Sequence, residues 1–200
     1  MGLSEKSKSI MDRLKDATKD IPWAFGPPIA NAYRGSFIAS GLKIAVPDGY
    51  DLHVKGISVE KLNPKAFESV EHINNNDDYP VLSYVDTVLV LLRNYDTETA
   101  YHMIRNDGHH MDCLMERALD EDNADIYKNL FVVLQNMERF RPYASKIECF
   151  VDKFTRERAE GLSEKDFKKS MRDSYDIPPF DIDIEVFINK VLENADESEQ

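Results

Sequence analysis

The densest group of side chains that could do chemistry in this sequence lies in one short stretch near its middle. A helix that begins near Gly108 places His109 and Cys113 four residues apart on one face, with Asp112 close to them. Imidazole, carboxylate and thiolate groups at this spacing suit a divalent metal ion such as zinc. The candidate ligands, including one histidine further upstream, are His102, His109, His110, Asp112 and Cys113. This pattern supports the hypothesis of a metal-dependent hydrolase.

Other catalytic signatures do not occur in the sequence. HExxH, G-x-S-x-G and the glycine-rich phosphate loops are absent, and no second Cys or His pair follows at zinc-finger spacing. A histidine that precedes a helix is more often a surface or capping group than a metal ligand. We therefore predict a non-enzymatic protein with no catalytic residues, no bound metal and no cofactor.

The N-terminal residues combine an amphipathic helix with a proline-rich segment. Residues 4–19 place apolar side chains on one helical face, whereas residues 21–33 hold three prolines and one glycine. Pro27 and Pro28 exclude a continued helix, so we predict an extended arm. The residues expected to mediate self-association through this arm are Trp23, Phe25, Pro27, Pro28 and Ile29. On this hypothesis, deletion of residues 1–30 leaves a folded monomer; packing of the arm on its own domain is the alternative.

Charge is distributed unevenly along the chain, whose formal net charge is −12. Residues 1–65 hold ten basic and seven acidic side chains, so the excess of acids lies in the remaining two thirds. Copies can therefore attract one another head to tail, and the basic third can approach an anionic surface. The expected basic surface comprises Lys6, Lys8, Arg13, Lys15 and Lys19. The acidic remainder disfavours sequence-specific binding of nucleic acid.

The clearest β signal surrounds the dipeptide Asp48-Gly49. Alternating apolar residues precede it in 42–46 and follow it in 52–59. Because Gly49 tolerates a positive φ, this pattern predicts an antiparallel β-hairpin. Gly56 shifts the alternation by one residue, which indicates a bulge.

Mainly helical patterns follow the hairpin. Asn63-Pro64 is typical of a helix start and predicts a helix to about residue 73. Periodicity leaves residues 81–93 open between helix and strand, although their length and leucine content favour a helix.

Further helices are predicted in the C-terminal half. Asp96 is a candidate cap of one helix, and Pro142 begins another in which Phe150 and Phe154 are expected to face inward. Residues 180–187 alternate as in an edge strand, which leaves strand or helix open there as well.

These elements together predict an α+β fold, in which an N-terminal β-hairpin packs against a mainly helical remainder. The expected organisation is a helix and proline-rich arm at 1–33, one α+β domain at 34–195 and an acidic tail at 196–200. No apolar run approaches the roughly 20 residues of a membrane span, and the N-terminus is unlike a secretory signal. Two cysteines agree with a reducing compartment, so we expect an intracellular protein, neither secreted nor transmembrane.

The segment Ser36–Val54 resembles the strand–turn–strand hairpin of rhabdovirus matrix proteins. The similarity centres on Phe37, Gly41, Lys43, Pro47, Gly49 and Tyr50. As in that family, a basic, proline-bearing arm precedes the hairpin, although this chain lacks a PPxY motif and is acidic overall. The resemblance implies a virion protein that self-associates and bridges the viral nucleocapsid and an anionic membrane surface.

The sequence thus favours a non-enzymatic structural or assembly protein, in its narrower form a viral matrix-type protein of the host cytoplasm or nucleus and of the virion. Two alternatives stay open. One is the metal-dependent hydrolase, and the other is a cytosolic regulatory adaptor, which no feature of the sequence separates from an assembly protein.

Overall fold

The computed structural model describes residues 4–33, 42–74, 78–161, 165 and 184–197. The chain divides into two compact units: unit 1 comprises Met1–Thr87 and Pro179–Gln200, and unit 2 comprises Val88–Pro178. The five-stranded sheet lies in unit 1, whereas the described part of unit 2 is helical. The predicted α+β class is therefore confirmed.

Unit 1 is built on a mixed sheet in the order β3-β2-β1-β5-β4. Its strands are β1 (Ala24–Phe25), β2 (Lys43–Pro47), β3 (Ser58–Leu62), β4 (Glu71–Asn74) and β5 (Asp78–Val81), and its helices include α1 (Glu5–Ala17) and α2 (Ile29–Tyr33). The central strand, β1, pairs antiparallel with β2 and parallel with β5. Helix α3 (Tyr84–Arg93) follows the sheet, so the preference for a helix in 81–93 is confirmed from Tyr84 onward.

The predicted β-hairpin at Asp48-Gly49 is wrong. The local turn does form, since Gly49 has φ 99° and the N–H of Tyr50 donates to the Pro47 carbonyl at 3.3 Å. The flanking strands β2 and β3 are nevertheless parallel, with Lys43 opposite Ser58 at the start of the ladder.

A second turn explains the parallel pairing of β2 and β3. The N–H of Ile57 donates to the Val54 carbonyl at 3.1 Å, and Gly56 within this turn has φ 74°. The chain is thereby brought back to the start of β2, where the N–H of Ser58 donates to the Leu42 carbonyl at 3.0 Å. Gly56 thus serves a reversal of the chain rather than the predicted bulge.

The helix predicted from Asn63 to residue 73 is much shorter in the structure. The Asn63 side chain does cap it, accepting from the N–H of Lys65 at 3.0 Å, but the helix is one 3₁₀ turn at Pro64–Phe67. Strand β4 follows and pairs antiparallel with β5, placing Ile73 opposite Tyr79. Both of these side chains are buried, so burial against the sheet overrides the helical pattern.

The predicted N-terminal arm forms part of the core of unit 1. Phe25 and Ile29 are fully buried, Pro27 and Pro28 are buried, and Trp23 packs edge-on against Phe25 with ring centroids 5.1 Å apart. Because β1 is hydrogen-bonded on both sides, its backbone groups are satisfied within the sheet. The expectation of an exposed contact arm is therefore wrong, and the boundary placed at residue 33 does not separate the arm from the sheet.

Helix α1 packs by its apolar face against the last helix, α9 (Ile184–Glu197). Ser4 caps α1 by accepting from the N–H of Ser7 at 3.2 Å, and its hydroxyl donates to Glu193 of α9 at 2.6 Å. The predicted basic residues, Lys6, Lys8, Arg13, Lys15 and Lys19, lie away from the buried face. Acids share that exposed surface, and Lys8 pairs with Glu5 at 2.9 Å, so the surface carries both signs of charge.

Residues 180–187, for which strand or helix stayed open, are helical from Ile184 onward, and residues 180–183 lie outside the described part. Helix α9 buries Ile188, Leu192 and Ala195, which recur at intervals of three or four residues. The apolar residues buried by the helix stabilise it more than the alternation of apolar and acidic residues favours a strand. The predicted acidic tail begins within α9, and residues 198–200 lie outside the description.

Unit 2 consists of short helices joined by tight turns. They are α4 (Thr97–Asn106), α5 (Met111–Glu121), α6 (Ala124–Gln135), α7 (Arg141–Ile147) and α8 (Lys153–Glu160), with 3₁₀ turns at Gly108–His110, Glu138–Phe140 and Glu148–Phe150. The predicted cap of α4 is confirmed, because the Asp96 carboxylate accepts from the N–H of Thr99 at 3.1 Å. Asn123 caps α6 by accepting from the N–H groups of Asp125 and Ile126. Among all the residues that the structure describes, no helix has the length and apolar character of a membrane span.

Candidate functional site

Three contacts bring the buried Tyr127 together with exposed aromatic residues where α6 begins. The Tyr95 hydroxyl, just before α4, is hydrogen-bonded to the Asp125 carboxylate. The Tyr127 hydroxyl donates to the carbonyl of Leu119 in α5 at 3.2 Å. The ring of Phe150, which follows α7, stacks on Tyr127 with centroids 5.0 Å apart. The start of α6 therefore gathers segments that precede α4, end α5 and follow α7.

This end of unit 2 leaves an unusual amount of apolar surface in solvent. Tyr95 is 64% exposed, Leu119 42%, Phe150 49% and Phe154 74%. Single exposed apolar residues are common, but a group of them near one helix end more often marks a contact surface. We call this surface the aromatic end and define it by Tyr95, Leu119, Tyr127, Phe150 and Phe154.

Acidic residues at the end of α5, in the turn after it and at the start of α6 border the aromatic end. They are Asp120, Glu121, Asp122 and Asp125. Arg117 balances part of this charge, since its guanidinium lies 3.1 Å from Glu121 and 3.9 Å from Asp120. The four carboxylates still outnumber this guanidinium, so the border is negative.

The acidic residues of this border contribute to raised pKa values of the two tyrosine hydroxyls. The hydrogen bond to the Asp125 carboxylate raises the pKa of Tyr95. Burial raises the pKa of Tyr127, and the negative charges of Asp122 and Glu121 raise it further. Both phenols are therefore held in the protonated form that donates hydrogen bonds.

Two residues at this end have positive φ angles, which residues other than glycine seldom adopt. Tyr95 has φ 61° and Asp122 has φ 45°. An aspartate is tolerated in the left-handed region and here ends α5, but a tyrosine is rare there. Backbone strain of this kind clusters at functional surfaces.

Helix α8 is fixed to the same end by a charged contact. The ammonium of Lys128 in α6 lies 3.2 Å from the Asp152 carboxylate, which also accepts from the N–H of Thr155 at 2.9 Å and so caps α8. These two contacts, the backbone one first, lower the pKa of Asp152. They position the first turn of α8, which carries Phe154.

A groove lies where α6 ends. Its lining residues are Tyr101 and Arg105 of α4 with Met137, Glu138, Arg139 and Phe140, and its volume is about 370 Å³. We call it the basic groove, because two guanidinium groups line it against one carboxylate. The Arg139 guanidinium lies 4.3 Å from the centroid of the Phe140 ring, within cation–π range.

Gly108 allows this groove to form. A Cβ atom at Gly108 would collide with the Arg139 guanidinium and the Phe140 ring. The absence of a side chain lets the 3₁₀ turn at the start of α5 approach the turn that follows α6. The wall of the groove is therefore closely packed behind Arg139 and Phe140.

The candidate metal ligands of the alternative hydrolase do not converge. Among the described residues, no group of three or more His, Cys, Asp or Glu side chains could hold a metal ion. His109, His110 and Cys113 are exposed, while Asp112 lies 3.8 Å from the Lys146 ammonium.

Helix α5 itself explains why these side chains point outward. It begins at Met111, and the residues that it buries are Met111, Leu114, Met115 and Ala118. Asp112 and Cys113 therefore lie on its exposed face. His102 belongs to α4, where its ring lies edge-on to Tyr101 with centroids 5.3 Å apart.

Sequence reasoning missed the aromatic end because it expected Phe150 and Phe154 to face inward. That expectation assumed one continuous helix after Pro142. The structure instead ends α7 at Ile147, forms a 3₁₀ turn and leaves Val151 extended at φ −108°, ψ 133° before α8 begins. Helical periodicity does not continue across this break. The signal that marks the restart is Asp152 three residues before Thr155, the spacing of an N-cap.

The aromatic end and the basic groove are thus two features of one helical unit, built at the two ends of α6. Comparison of this chain with protein-family models, with curated proteins and with solved structures finds no match.

Proposed function

We propose that this chain is a non-enzymatic assembly protein that associates with copies of itself through the aromatic end of unit 2. The observation that carries the proposal is the exposure of Phe150 and Phe154 beside Leu119 and Tyr95. Removing such side chains from water on contact provides a favourable free energy of roughly 25 cal/mol per Å² of apolar surface. Aromatic residues also lose little side-chain entropy when they become ordered in a contact.

The acidic border supplies selectivity to this contact. A negative rim favours a partner surface that carries Lys or Arg and disfavours another acidic surface. The proline-rich arm, whose composition predicted a contact surface, does not provide one. Because Phe25 and Ile29 are buried in unit 1, the contact surface that we propose lies in unit 2.

Substitution of Phe154 tests this proposal without disturbing a core position. Phe154→Ser removes an apolar ring that is 74% exposed, so we expect the variant to keep the wild-type helical content but to self-associate more weakly. Static light scattering over a dilution series measures the weight-average mass against the 23.0 kDa of the monomer.

Tyr50→Ser provides the matched control, because Tyr50 is another exposed aromatic residue, 40% accessible, in unit 1. The control should associate like the wild type. Equal association of the Phe154→Ser variant and the wild type would refute the role of the aromatic end. A wild-type chain that stays monomeric would instead favour the regulatory adaptor.

The narrower form of the proposal is a viral matrix-type protein that bridges a nucleocapsid and an anionic membrane. Its support is the resemblance in amino-acid sequence of Ser36–Val54 to rhabdovirus matrix proteins, together with the basic residues of α1; the hairpin itself does not form, since β2 and β3 are parallel. This form predicts that the chain sediments with vesicles that contain phosphatidylserine and not with purely zwitterionic vesicles. A chain that stays in the supernatant with both would contradict the matrix-type role and leave self-association untouched.

A further inference from the structure

We infer that the aromatic end of one copy docks into the basic groove of a second copy, so that the chain assembles head to tail. This inference rests on the proposed self-association and names the surface that receives the aromatic end. It follows from the position, the shape and the charge of the two features within unit 2.

The two features lie too far apart to form one patch. The aromatic end surrounds the first turn of α6, where Tyr127 contacts Leu119 and Phe150. The basic groove is lined by Met137 to Phe140, directly after α6. Met137 follows Tyr127 by ten residues, nearly all of them helical, which corresponds to about 15 Å along the helix axis. One copy therefore presents two different surfaces, as a heterologous contact requires.

The apolar part of the groove fits an aromatic side chain. Tyr101, Met137 and Phe140 are buried residues that form its inner surface, and its volume of about 370 Å³ is at the small end of the range for binding pockets. Phe154 extends furthest into solvent of the residues at the aromatic end. A phenylalanine ring of one copy can thus be buried against the inner surface of the groove of the next.

Charge fixes the orientation of this contact. Arg105 and Arg139 are exposed at the groove, and Arg141 follows directly, against the single carboxylate of Glu138 in the lining. At the aromatic end, Asp122 and Asp125 stand beside the exposed rings. Contact between the two surfaces brings guanidinium groups to carboxylates, whereas contact between two aromatic ends brings carboxylates together.

In such a contact each copy contributes only one of its two surfaces. After two copies join, one aromatic end and one groove stay exposed, so further copies can add. A head-to-tail contact that does not close into a ring forms an open chain. The average mass should therefore rise with concentration beyond that of a dimer.

Two complementary variants test this inference in the full chain by sedimentation velocity. The end variant is Phe150→Ser/Phe154→Ser, and the groove variant is Arg105→Glu/Arg139→Glu. Each should associate at least about tenfold more weakly than the wild type when alone, because one side of the contact is lost. An equal mixture should form a dimer that does not grow, since one variant keeps an intact groove and the other an intact aromatic end.

A charge-matched control separates the groove from general electrostatics. Arg13→Glu/Lys15→Glu makes the same change in net charge on the exposed face of α1 and should associate like the wild type. Equal weakening in this control would overturn the inference, because overall charge would then explain the effect. Circular dichroism checks that each variant is folded, and Arg105→Glu alone repeats the test if the double variant loses helical signal.

The outcomes distinguish this inference from the proposal on which it rests. A groove variant that associates like the wild type, or a mixture that stays monomeric, overturns the docking into the groove. If the end variant is nevertheless monomeric, self-association through the aromatic end stands and pairs two aromatic ends. A wild-type chain that is monomeric under all conditions overturns both.

Discussion

At the scale of single residues, the aromatic end depends on two phenol groups that keep their protons. Tyr95 and Tyr127 both donate hydrogen bonds, the first to the Asp125 carboxylate and the second to the Leu119 carbonyl. Loss of either proton would place a phenolate against an oxygen acceptor in an already negative region. Deprotonation of either hydroxyl at alkaline pH should therefore weaken the packing of the aromatic end.

Alkaline pH should destabilise the wild-type chain through Tyr127. Because its pKa is raised above the ordinary 10.0, folding favours the neutral phenol. This contribution is fully present below the unfolded pKa and is lost as the pH rises through the higher folded pKa. Tyr127→Phe should lower the free energy of unfolding by about 1 kcal/mol at pH 7 and lose less on passing above pH 10. Urea unfolding at both pH values measures this, and an unchanged alkaline loss in the variant would contradict it.

A buried amide offers a second test at the residue scale. Asn31 is fully buried, and neither of its amide atoms meets a hydrogen-bond partner among the described residues. Replacement by an apolar residue of similar size removes the desolvation cost, so Asn31→Leu should raise the free energy of unfolding by about 1 kcal/mol. Asn129→Leu is the matched control, because the Asn129 amide donates to the Leu92 carbonyl at 2.7 Å. The control should lose stability; a similar loss in Asn31→Leu would show that its amide is hydrogen-bonded.

At the scale of elements, unit 1 depends on a strand of two residues. β1 joins β2 to β5 at the centre of the sheet, and its residue Phe25 lies opposite Ile44 on one side and Val81 on the other. The apolar residues around it fill the core instead of forming an exposed arm. We therefore expect the N-terminal segment to be required for folding.

Phe25→Ala should destabilise unit 1 severely. Truncation of a fully buried phenylalanine typically costs about 3–5 kcal/mol, whereas Tyr50→Ala at an exposed position should change little. Deletion of residues 1–30 should unfold the sheet rather than release a folded monomer. Circular dichroism during thermal unfolding measures both variants. A deletion variant with a wild-type melting temperature would show that β1 is dispensable.

The elements that the sequence predicted well are those that local signals determine. Asp96 acts as a cap at the predicted position, and Gly49 adopts the positive φ that its turn requires. The parallel pairing of β2 and β3 was not predicted, because it depends on a second turn at Val54 and Ile57. Such non-local choices leave little trace in a short window of sequence.

The residues of the candidate site were also hard to predict, because their exposure depends on non-local packing. Phe150 and Phe154 have a spacing that fits a helix face, but the chain breaks between α7 and α8 and leaves both exposed. The histidines near Gly108 were close in sequence, yet the buried face of α5 turns Asp112 and Cys113 outward. Closeness in sequence made these residues candidate metal ligands for the alternative of a hydrolase, whereas packing decides which side chains meet.

At the scale of the whole molecule, the chain consists of two compact units, and both proposed contact surfaces lie in unit 2. Unit 1 buries the N-terminal segment in a mixed sheet, and unit 2 presents the aromatic end and the basic groove. The net charge of −12 opposes association through general electrostatics, so specific complementary surfaces are needed to bring copies together. Salt should weaken the charged part of the contact above about 0.15 M, where the Debye length falls below about 8 Å, and leave the apolar part.

Sedimentation velocity of the unmodified chain over a concentration series measures the proposed self-association. At low salt we expect the average mass to rise from the 23.0 kDa monomer past the dimer without reaching a plateau. A single species of monomer mass at every concentration, in low and in high salt, would refute self-association.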